Sequence, residues 1–242
     1  LSGLVGSEMC IRDRCVQIQE RLLRLNESIQ QAAEKANRSL DEIRLVAISK
    51  TKPAEEVREA FKAGQLVFGE NRVQEAVEKI DVLQDLSGLE WHLVGHLQKN
   101  KARFCPGRFQ WIHSLGSLEL ARRLSRTCLE QNTSLNVLIQ LNLSGEDSKS
   151  GLENWEQLRN LSEELMNLEK LELRGLMTMP APDQDELETR RVFARLREMQ
   201  ERLKLELNAP QIDQLSMGMT NDYCLLYTSP SPRDQRGSGM AA

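Results

Sequence analysis

Short apolar runs alternate with amphipathic segments along most of this chain. Seven runs have the length and the content of valine, isoleucine and leucine that buried strands favour. They cover residues 45–49, 66–69, 90–95, 109–113, 135–143, 171–177 and 211–216. Around them, apolar residues recur at helical spacing, which predicts helices over 16–36, 54–63, 70–83, 99–104, 117–131, 155–168 and 185–207.

This alternation of strand and helix predicts a parallel sheet with helices packed outside it. Seven strands at near-regular spacing favour an α/β fold of the (β/α)8 TIM-barrel type. The eighth strand is expected after residue 223, where the sequence changes character, so the barrel is predicted to be truncated before it. A doubly wound open sheet is the alternative, and the lack of a Gly-x-Gly-x-x-Gly turn after the first strand counts against it.

The two ends of the chain differ from the rest. Residues 1–14 lack the long apolar core of a signal peptide, and residues 224–242 are rich in serine, proline and arginine. Both resemble peptides translated from sequencing-adapter DNA at the edges of assembled fragments. We therefore expect non-native flanks at 1–14 and 224–242 around one domain at 15–223 that is incomplete at its C-terminus. A natural disordered tail is the alternative.

Composition narrows the function classes. The formal net charge of −4 over 242 residues indicates no basic surface for nucleic acid or an anionic membrane. No apolar run approaches the length of a membrane span. Between residues 15 and 223, Cys15, Cys105 and Cys128 have no paired spacing, which is typical of a reducing compartment and disfavours disulfides or a zinc site. We expect a cytoplasmic protein without nucleic-acid or membrane partners.

The end of the first strand carries the first candidate for chemistry. In a barrel, functional residues gather at the C-terminal ends of the strands. Here the apolar run ends in Ser49 and Lys50, and Pro53 is suited to begin the next helix. An ammonium group is costly to bury, and burial favours the neutral amine that attacks aldehydes. The alternative is that Lys50 simply reaches solvent.

The end of the seventh strand carries the second candidate. Ser216, Met217 and Gly218 can present backbone N–H groups to a phosphate, and barrel enzymes often bind phosphate at the loops after strands seven and eight. An amine for an imine and a phosphate cup in one mouth together indicate a phosphorylated aldehyde. Pyridoxal phosphate is the obvious candidate.

Five motifs in order resemble the pyridoxal phosphate homeostasis proteins along residues 16–223. They are VAISKTKP at 46–53, FGENRVQE at 68–75, WHLVGHLQKNK at 91–101, GLMTM at 175–179 and LSMGMTND at 215–222. The resemblance implies a single barrel of the alanine racemase N-terminal kind. This chain departs from the family pattern after residue 222, where the family continues with a helix and a strand that ends in a phosphate loop.

The resemblance also implies a site. No catalytic residue and no metal ligand is expected. The implied cofactor-binding residues are Lys50, which forms the Schiff base with pyridoxal 5′-phosphate, Asn71 and Met177 near the ring, and Ser216, Met217 and Gly218 at the phosphate.

Other polar residues near the strand ends have less specific interpretations. Lys52 is expected to be solvated or to steer a phosphate. Glu70 and Glu75 are candidate bases or ion-pair partners, and a solvated helix face is the preferred position for Glu75. His96 and His113 fit structural roles as well as ligand roles, and their spacing is poor for a metal.

Three functions remain open at this point. The first is a carrier or buffer that holds pyridoxal phosphate as a lysine Schiff base, takes part in its intracellular homeostasis and passes it to apo-enzymes; a monomer is expected. The second is a racemase-like enzyme that acts on amino acids with pyridoxal phosphate, which requires a second positioned acid or base. The third is a barrel without a cofactor that serves protein interaction.

Overall fold

The computed structural model describes residues 5–143, 151–181 and 184–219, with side chains from residue 17 onward. The expected eighth strand, the last three residues of the fifth motif and the flank at 224–242 lie outside these residues. So do residues 1–4 of the N-terminal flank.

Seven parallel strands form one sheet in this part of the chain, and each strand pairs with the next one in sequence. They correspond one to one to the predicted strands, although most are shorter. Their bounds are β1 Ala47–Ile48, β2 Val67–Glu70, β3 Glu90–Leu93, β4 Trp111–Leu115, β5 Leu135–Gln140, β6 Leu171–Met177 and β7 Gln214–Ser216.

The helices lie between the strands, as the alternation predicts. They are α1 Val5–Lys35, α2 Ala54–Lys62, α3 Val73–Val82, α4 Leu118–Glu130, α5 Trp155–Met166 and α6 Glu186–Glu206, with 3-10 helices at Leu40–Glu42 and Lys99–Phe104. The first helix was predicted to begin at residue 16 and begins instead at Val5, so one helix crosses the predicted flank boundary. Helix α3 begins later than predicted because β2 continues to Glu70.

One contact shows that the sheet is curled rather than open. Strands β5 and β6 lie between β4 and β7 in the sheet order. In a flat sheet, three strand spacings of about 4.8 Å would hold β4 and β7 about 14 Å apart. Yet His113 Nδ1 on β4 lies 2.8 Å from Ser216 Oγ on β7. The TIM-like barrel is therefore confirmed and the doubly wound open sheet is excluded; among the described residues the barrel has seven strands.

The apolar core lies between the sheet and the surrounding helices. Phe68 and Trp91, on neighbouring strands, are both buried with ring centroids 5.7 Å apart. Leu93, Ile112 and Val137 continue this layer and are completely buried. Side chains on the other face of the strands point into the barrel, and they include His92 and His113.

Two glycines let chain segments approach closely at the end of the barrel that holds the site. A Cβ on Gly95 would lie 2.2 Å from the carbonyl oxygen of Asn71, and one on Gly175 would lie 1.7 Å from that of Gln214. Real Cβ atoms do not tolerate such contacts. Only glycine lets the loop after β2 and the strand β7 pack where they do.

The cysteines and the length of the helices bear on two expectations drawn from composition. Cys105 and Cys128 are buried free thiols, and burial raises their pKa values to about 12 and about 11. Among the helices of the described segments, none is both long and apolar enough to cross a bilayer.

Candidate functional site

The predicted site residues lie at the carboxyl ends of four strands, and therefore at one end of the barrel. Lys50 and Asn71 follow β1 and β2, which pair through Ile48 and Gly69. Met177 ends β6 and pairs with Ser216 at the end of β7. Met217 and Gly218 come next, and the φ of 88° at Gly218 turns the chain at this point.

Lys50 is exposed, which contradicts the expected burial of its amine. Strand β1 has two residues and lies at an edge of the described sheet, so its carboxyl end has a strand on one side only. Ile48, the residue before the buried Ser49, is itself 47% exposed. The alternative that the Lys50 side chain reaches solvent therefore describes the structure. Its role as the Schiff-base residue stays a prediction.

Lys50 occupies the second position of a tight turn. The carbonyl of Ser49 accepts the N–H of Lys52 at 3.0 Å, which closes a four-residue turn. Thr51, in the third position, has a φ of 61°. That conformation is usual for glycine or asparagine and is a strained outlier for a β-branched residue, at a cost of about 1–3 kcal/mol.

A group of charges, two buried and one partly buried, lies directly behind this turn; we call it the Lys79 cluster, made of Lys79, Glu70 and Glu75. Lys79 Nζ donates to Glu70 Oε1 at 2.6 Å, to Glu75 Oε1 at 2.9 Å and to the Ser49 carbonyl at 2.5 Å. Glu70 Oε1 also accepts the Ser49 hydroxyl at 2.6 Å. Glu75 Oε1 accepts the Thr51 N–H at 2.6 Å. Every member of the cluster therefore contacts the residue before or after Lys50.

Sequence reasoning missed this cluster. Glu75 was expected on a solvated helix face and is instead partly buried, with the Lys79 hydrogen bond holding the pKa of its carboxyl below the usual value. Glu70 was expected as a base or an ion-pair partner, and it is the ion-pair partner of Lys79. The four-residue spacing of Glu75 and Lys79 on a helix could have indicated their pairing, but not its burial.

A second polar network crosses the interior of the barrel; we call it the histidine chain, made of Glu90, His92, His113 and Ser216. His92 Nε2 lies 2.9 Å from Glu90 Oε1, and His92 Nδ1 lies 2.8 Å from His113 Nε2. His113 Nδ1 then meets Ser216 Oγ. Burial lowers the pKa of both imidazoles to about 3, so both are neutral at pH 7.

The hydrogen bonds of the histidine chain all run in one direction, with each donor on the Ser216 side and each acceptor on the Glu90 side. Glu90, which also pairs with Arg44, is a carboxylate that can only accept, so His92 Nε2 carries the hydrogen. The neutral ring of His92 then accepts at Nδ1 from His113 Nε2–H. His113 in turn accepts at Nδ1 from the Ser216 hydroxyl. The hydroxyl hydrogen of Ser216, a predicted phosphate-binding residue, is thus directed toward His113 inside the barrel.

The remaining candidate residues differ in their exposure to solvent. Lys52 is exposed and pairs with Glu56 at 3.2 Å, which agrees with a solvated lysine. His96 is exposed, while Met177 is buried. Asn71 is partly buried. Within the described ranges, no three His, Cys, Asp or Glu side chains are grouped so that they could hold a metal ion.

The class of protein follows from the fold together with a sequence match. The family described as "Alanine racemase, N-terminal domain" matches residues 22–234. Solved alanine racemases share the barrel: that of Streptomyces coelicolor A3(2) superposes with a TM-score of 0.60 at 15% identity, over 79% of this chain and 50% of the enzyme. At that identity the likeness concerns the fold alone.

Closer relatives give the particular family. The pyridoxal phosphate homeostasis protein of Pasteurella multocida is 44% identical over 206 residues, which cover 85% of this chain and 88% of the relative. That of Escherichia coli K12 is also 44% identical, over 208 residues, 85% of this chain and 87% of the relative. This chain belongs to the pyridoxal phosphate homeostasis protein family.

Solved structures agree with this assignment. PipY of Synechococcus elongatus PCC7942, solved without pyridoxal phosphate, matches with a TM-score of 0.79 and 37% identity over 88% of this chain and 94% of PipY. The same protein with pyridoxal phosphate bound matches with a TM-score of 0.78 and 36% identity, at the same coverage.

Proposed function

We propose that this protein holds pyridoxal 5′-phosphate as cargo, in a Schiff base with Lys50, and takes part in its intracellular homeostasis as a carrier or buffer. The observation that carries the proposal is the exposed Lys50 in a strained turn, with Ser49 and Thr51 on either side of it hydrogen bonded to the Lys79 cluster. The pyridoxal phosphate in PipY, a relative at 36% identity, supports the choice of ligand.

The groups at this end of the barrel suit a phosphorylated aldehyde. The Lys50 amine adds to the aldehyde carbon, a C=N bond forms and water leaves; the addition of water reverses the step and frees the aldehyde. Met217 and Gly218 offer backbone N–H groups at a turn, which favour a phosphate. Asn71 after β2 and Met177 at the end of β6 supply one polar and one apolar side chain at the same end of the barrel. An exposed lysine gives water and acceptor proteins access to the bond, which suits release better than catalysis.

A carrier is favoured over a racemase-like enzyme. Racemisation needs a second acid or base beside the cofactor. The two buried histidines inside the described barrel are neutral and engaged with one another, with Glu90 and with Ser216. The alanine racemase of S. coelicolor is matched over 50% of its length only.

Several further assignments belong to the same proposal. We place the protein in the cytoplasm, as a monomer, with apo-enzymes that use pyridoxal phosphate as recipients. The acidic net charge and the bacterial relatives agree with this placement. We also propose that residues 15–223 form the domain and that 1–14 and 224–242 are non-native flanks; the family match itself extends to residue 234.

Reductive trapping tests the proposal. The full chain is incubated with pyridoxal phosphate and reduced with borohydride, and the labelled peptide is identified by mass spectrometry. We expect about one label per chain, on Lys50, which Lys50→Ala removes and Lys62→Ala leaves in place. Lys62 is an exposed lysine on α2 that pairs with Glu59, so it reports unspecific labelling. Label spread over surface lysines in the unaltered chain would contradict the proposal.

A further inference from the structure

Helix α3 holds the backbone on both sides of Lys50 while the lysine side chain itself is exposed. On one side, the Ser49 carbonyl accepts the Lys79 ammonium. On the other side, the Thr51 N–H donates to Glu75. Both contacts come from residues one helical turn apart on α3, so the turn is hydrogen bonded to the helix at two points.

The Lys79 cluster holds the turn with buried charges, whose desolvation costs free energy. The exposed fraction of the side chain is 8% for Lys79 and 0% for Glu70. Lys79 uses its three donors on Ser49, Glu70 and Glu75, which leaves Glu70 Oε2 buried and without a hydrogen-bond partner in the described structure. Buried ion pairs add little net stability compared with apolar residues of similar size, because desolvation offsets the attraction. Stability alone therefore does not account for placing these charges behind Lys50.

The strain at Thr51 indicates what the cluster does. A β-branched residue adopts a left-handed φ only where its surroundings impose it, and such outliers collect at functional sites. Thr51 is exposed, so apolar packing does not impose this conformation. The contacts at this residue are the hydrogen bond of its N–H to Glu75, the turn closed on the Ser49 carbonyl, which Lys79 also binds, and a local hydrogen bond that its hydroxyl donates to the Lys50 carbonyl at 2.6 Å.

We propose that Lys79 is a positioning residue for Lys50. Together with Glu70 and Glu75, it fixes the strained turn at residues 49–52, so that the Lys50 amine is presented toward an incoming aldehyde without further ordering of the backbone. The inference rests on the Schiff base proposed above. It predicts an effect on imine formation that is separate from any effect on phosphate binding, since these residues lie beside the lysine and not beside Ser216 or Gly218.

The test uses two ligands that differ at the aldehyde. Pyridoxal phosphate reports imine formation through the rate of borohydride-trapped label on Lys50. Pyridoxine 5′-phosphate has an alcohol in place of the aldehyde and reports binding alone, by calorimetry. Thr51→Pro excludes the left-handed φ of the turn and removes the N–H that binds Glu75, at an exposed position and without removing a buried charge, and Glu75→Gln weakens the anchor of the turn. Glu78→Gln is the matched control, because it makes the same chemical change at an exposed position on the same helix.

We expect Thr51→Pro and Glu75→Gln to slow the labelling of Lys50 about tenfold, which corresponds to ~1.4 kcal/mol. Their affinity for pyridoxine 5′-phosphate should stay within about twofold of the unaltered chain. Lys79→Arg, which keeps the charge, should retain more of the labelling rate than Lys79→Met, with circular dichroism used to verify that both variants are folded.

The outcomes separate the two proposals. If the unaltered chain carries no label on Lys50, the proposed function fails and the positioning role fails with it. If the unaltered chain is labelled and the two turn variants are labelled equally fast, only the positioning role is overturned. If both variants lose pyridoxine 5′-phosphate affinity in parallel with labelling, the cluster merely stabilises this end of the barrel, and the positioning role is again overturned.

Discussion

The two polar networks of this barrel satisfy buried polar groups in opposite ways, one with paired charges and the other with neutral hydrogen-bonding groups. The Lys79 cluster lies between the first two strands and α3, keeps its charges and binds the backbone around Lys50. The histidine chain lies inside the barrel, gives up the charge of both imidazoles and binds the side chain of Ser216. Each network supports one of the two groups of predicted site residues.

The contrast shows how side-chain chemistry decides the cost of a buried polar group. A lysine needs carboxylate partners when it is buried, and removing one partner leaves the others as uncompensated charges. A histidine can lose its proton near neutral pH and remain a donor and an acceptor at once. The contribution of the Lys79 cluster to stability should therefore be most sensitive to the loss of one of its residues. The contribution of the histidine chain should be most sensitive to a change of pH.

Loss of Lys79 is the largest expected perturbation. Lys79→Met leaves Glu70 buried without its counter-charge, and we expect the free energy of unfolding to fall by about 3–5 kcal/mol. Urea unfolding followed by circular dichroism measures the change. The same substitution at the exposed Lys62 should alter stability by less than about 0.5 kcal/mol. A loss below about 1 kcal/mol in Lys79→Met would show that Glu70 and Glu75 find other partners.

Acid should act mainly on the histidine chain. The unfolded chain protonates His92 and His113 below pH 6.5, whereas the folded protein does so near pH 3. Between these values the unfolded state binds more protons, so the stability present above pH 6.5 is lost as the pH falls, by up to about 1.4 kcal/mol per pH unit for each histidine.

Urea unfolding at pH 7.5 and pH 5.5 would measure this loss. His113→Gln keeps an acceptor for Ser216 and a donor for His92, and it removes one titrating group; the pH dependence should fall to about half. An unchanged pH dependence in this variant would assign the acid sensitivity to groups other than His113. Glu75 is not one of them, because a carboxyl whose pKa lies below its ordinary value of 4.5 is ionised in both states over this range.

The smallest expected effect is at the end of the histidine chain. Ser216→Ala removes the donor to His113 and leaves its buried Nδ1 unpaired, for a loss of about 1–2 kcal/mol in the free energy of unfolding. Ser216→Thr keeps the hydroxyl and should lose less. Thermal unfolding of both variants at pH 7.5 ranks them. Equal stability of Ser216→Ala and the unaltered protein would mean that water replaces the hydroxyl.

Much of the fold was accessible from the sequence because local pattern and tertiary context agree. Strand β6 has the predicted bounds, because its apolar run pairs with a strand on each side and most of its residues are buried. Strand β1 shrinks to two residues because pairing, which no local pattern reveals, is available on one side only. Order along the chain was enough to predict that Lys50 and Ser216 lie at the same end of the barrel.

The supporting networks were not accessible in the same way. Burial of Lys79 depends on Glu70 and Ser49, which lie on other elements and approach it only in the folded barrel. The exposure of Lys50 depends on which strand lies beside β1. Pattern reasoning assigns a charged residue to solvent by default, which was right for Lys52 and wrong for Glu75.

The link between His113 and Ser216 has a consequence for synthesis of the chain on the ribosome. These residues are 103 positions apart, so His113 emerges long before its donor exists. Until β7 is made, the Nδ1 atom of His113 lacks the hydrogen bond from Ser216. A growing chain should therefore stay loosely packed and open to chaperones until residue 216 is free of the exit tunnel, and then consolidate in one late step.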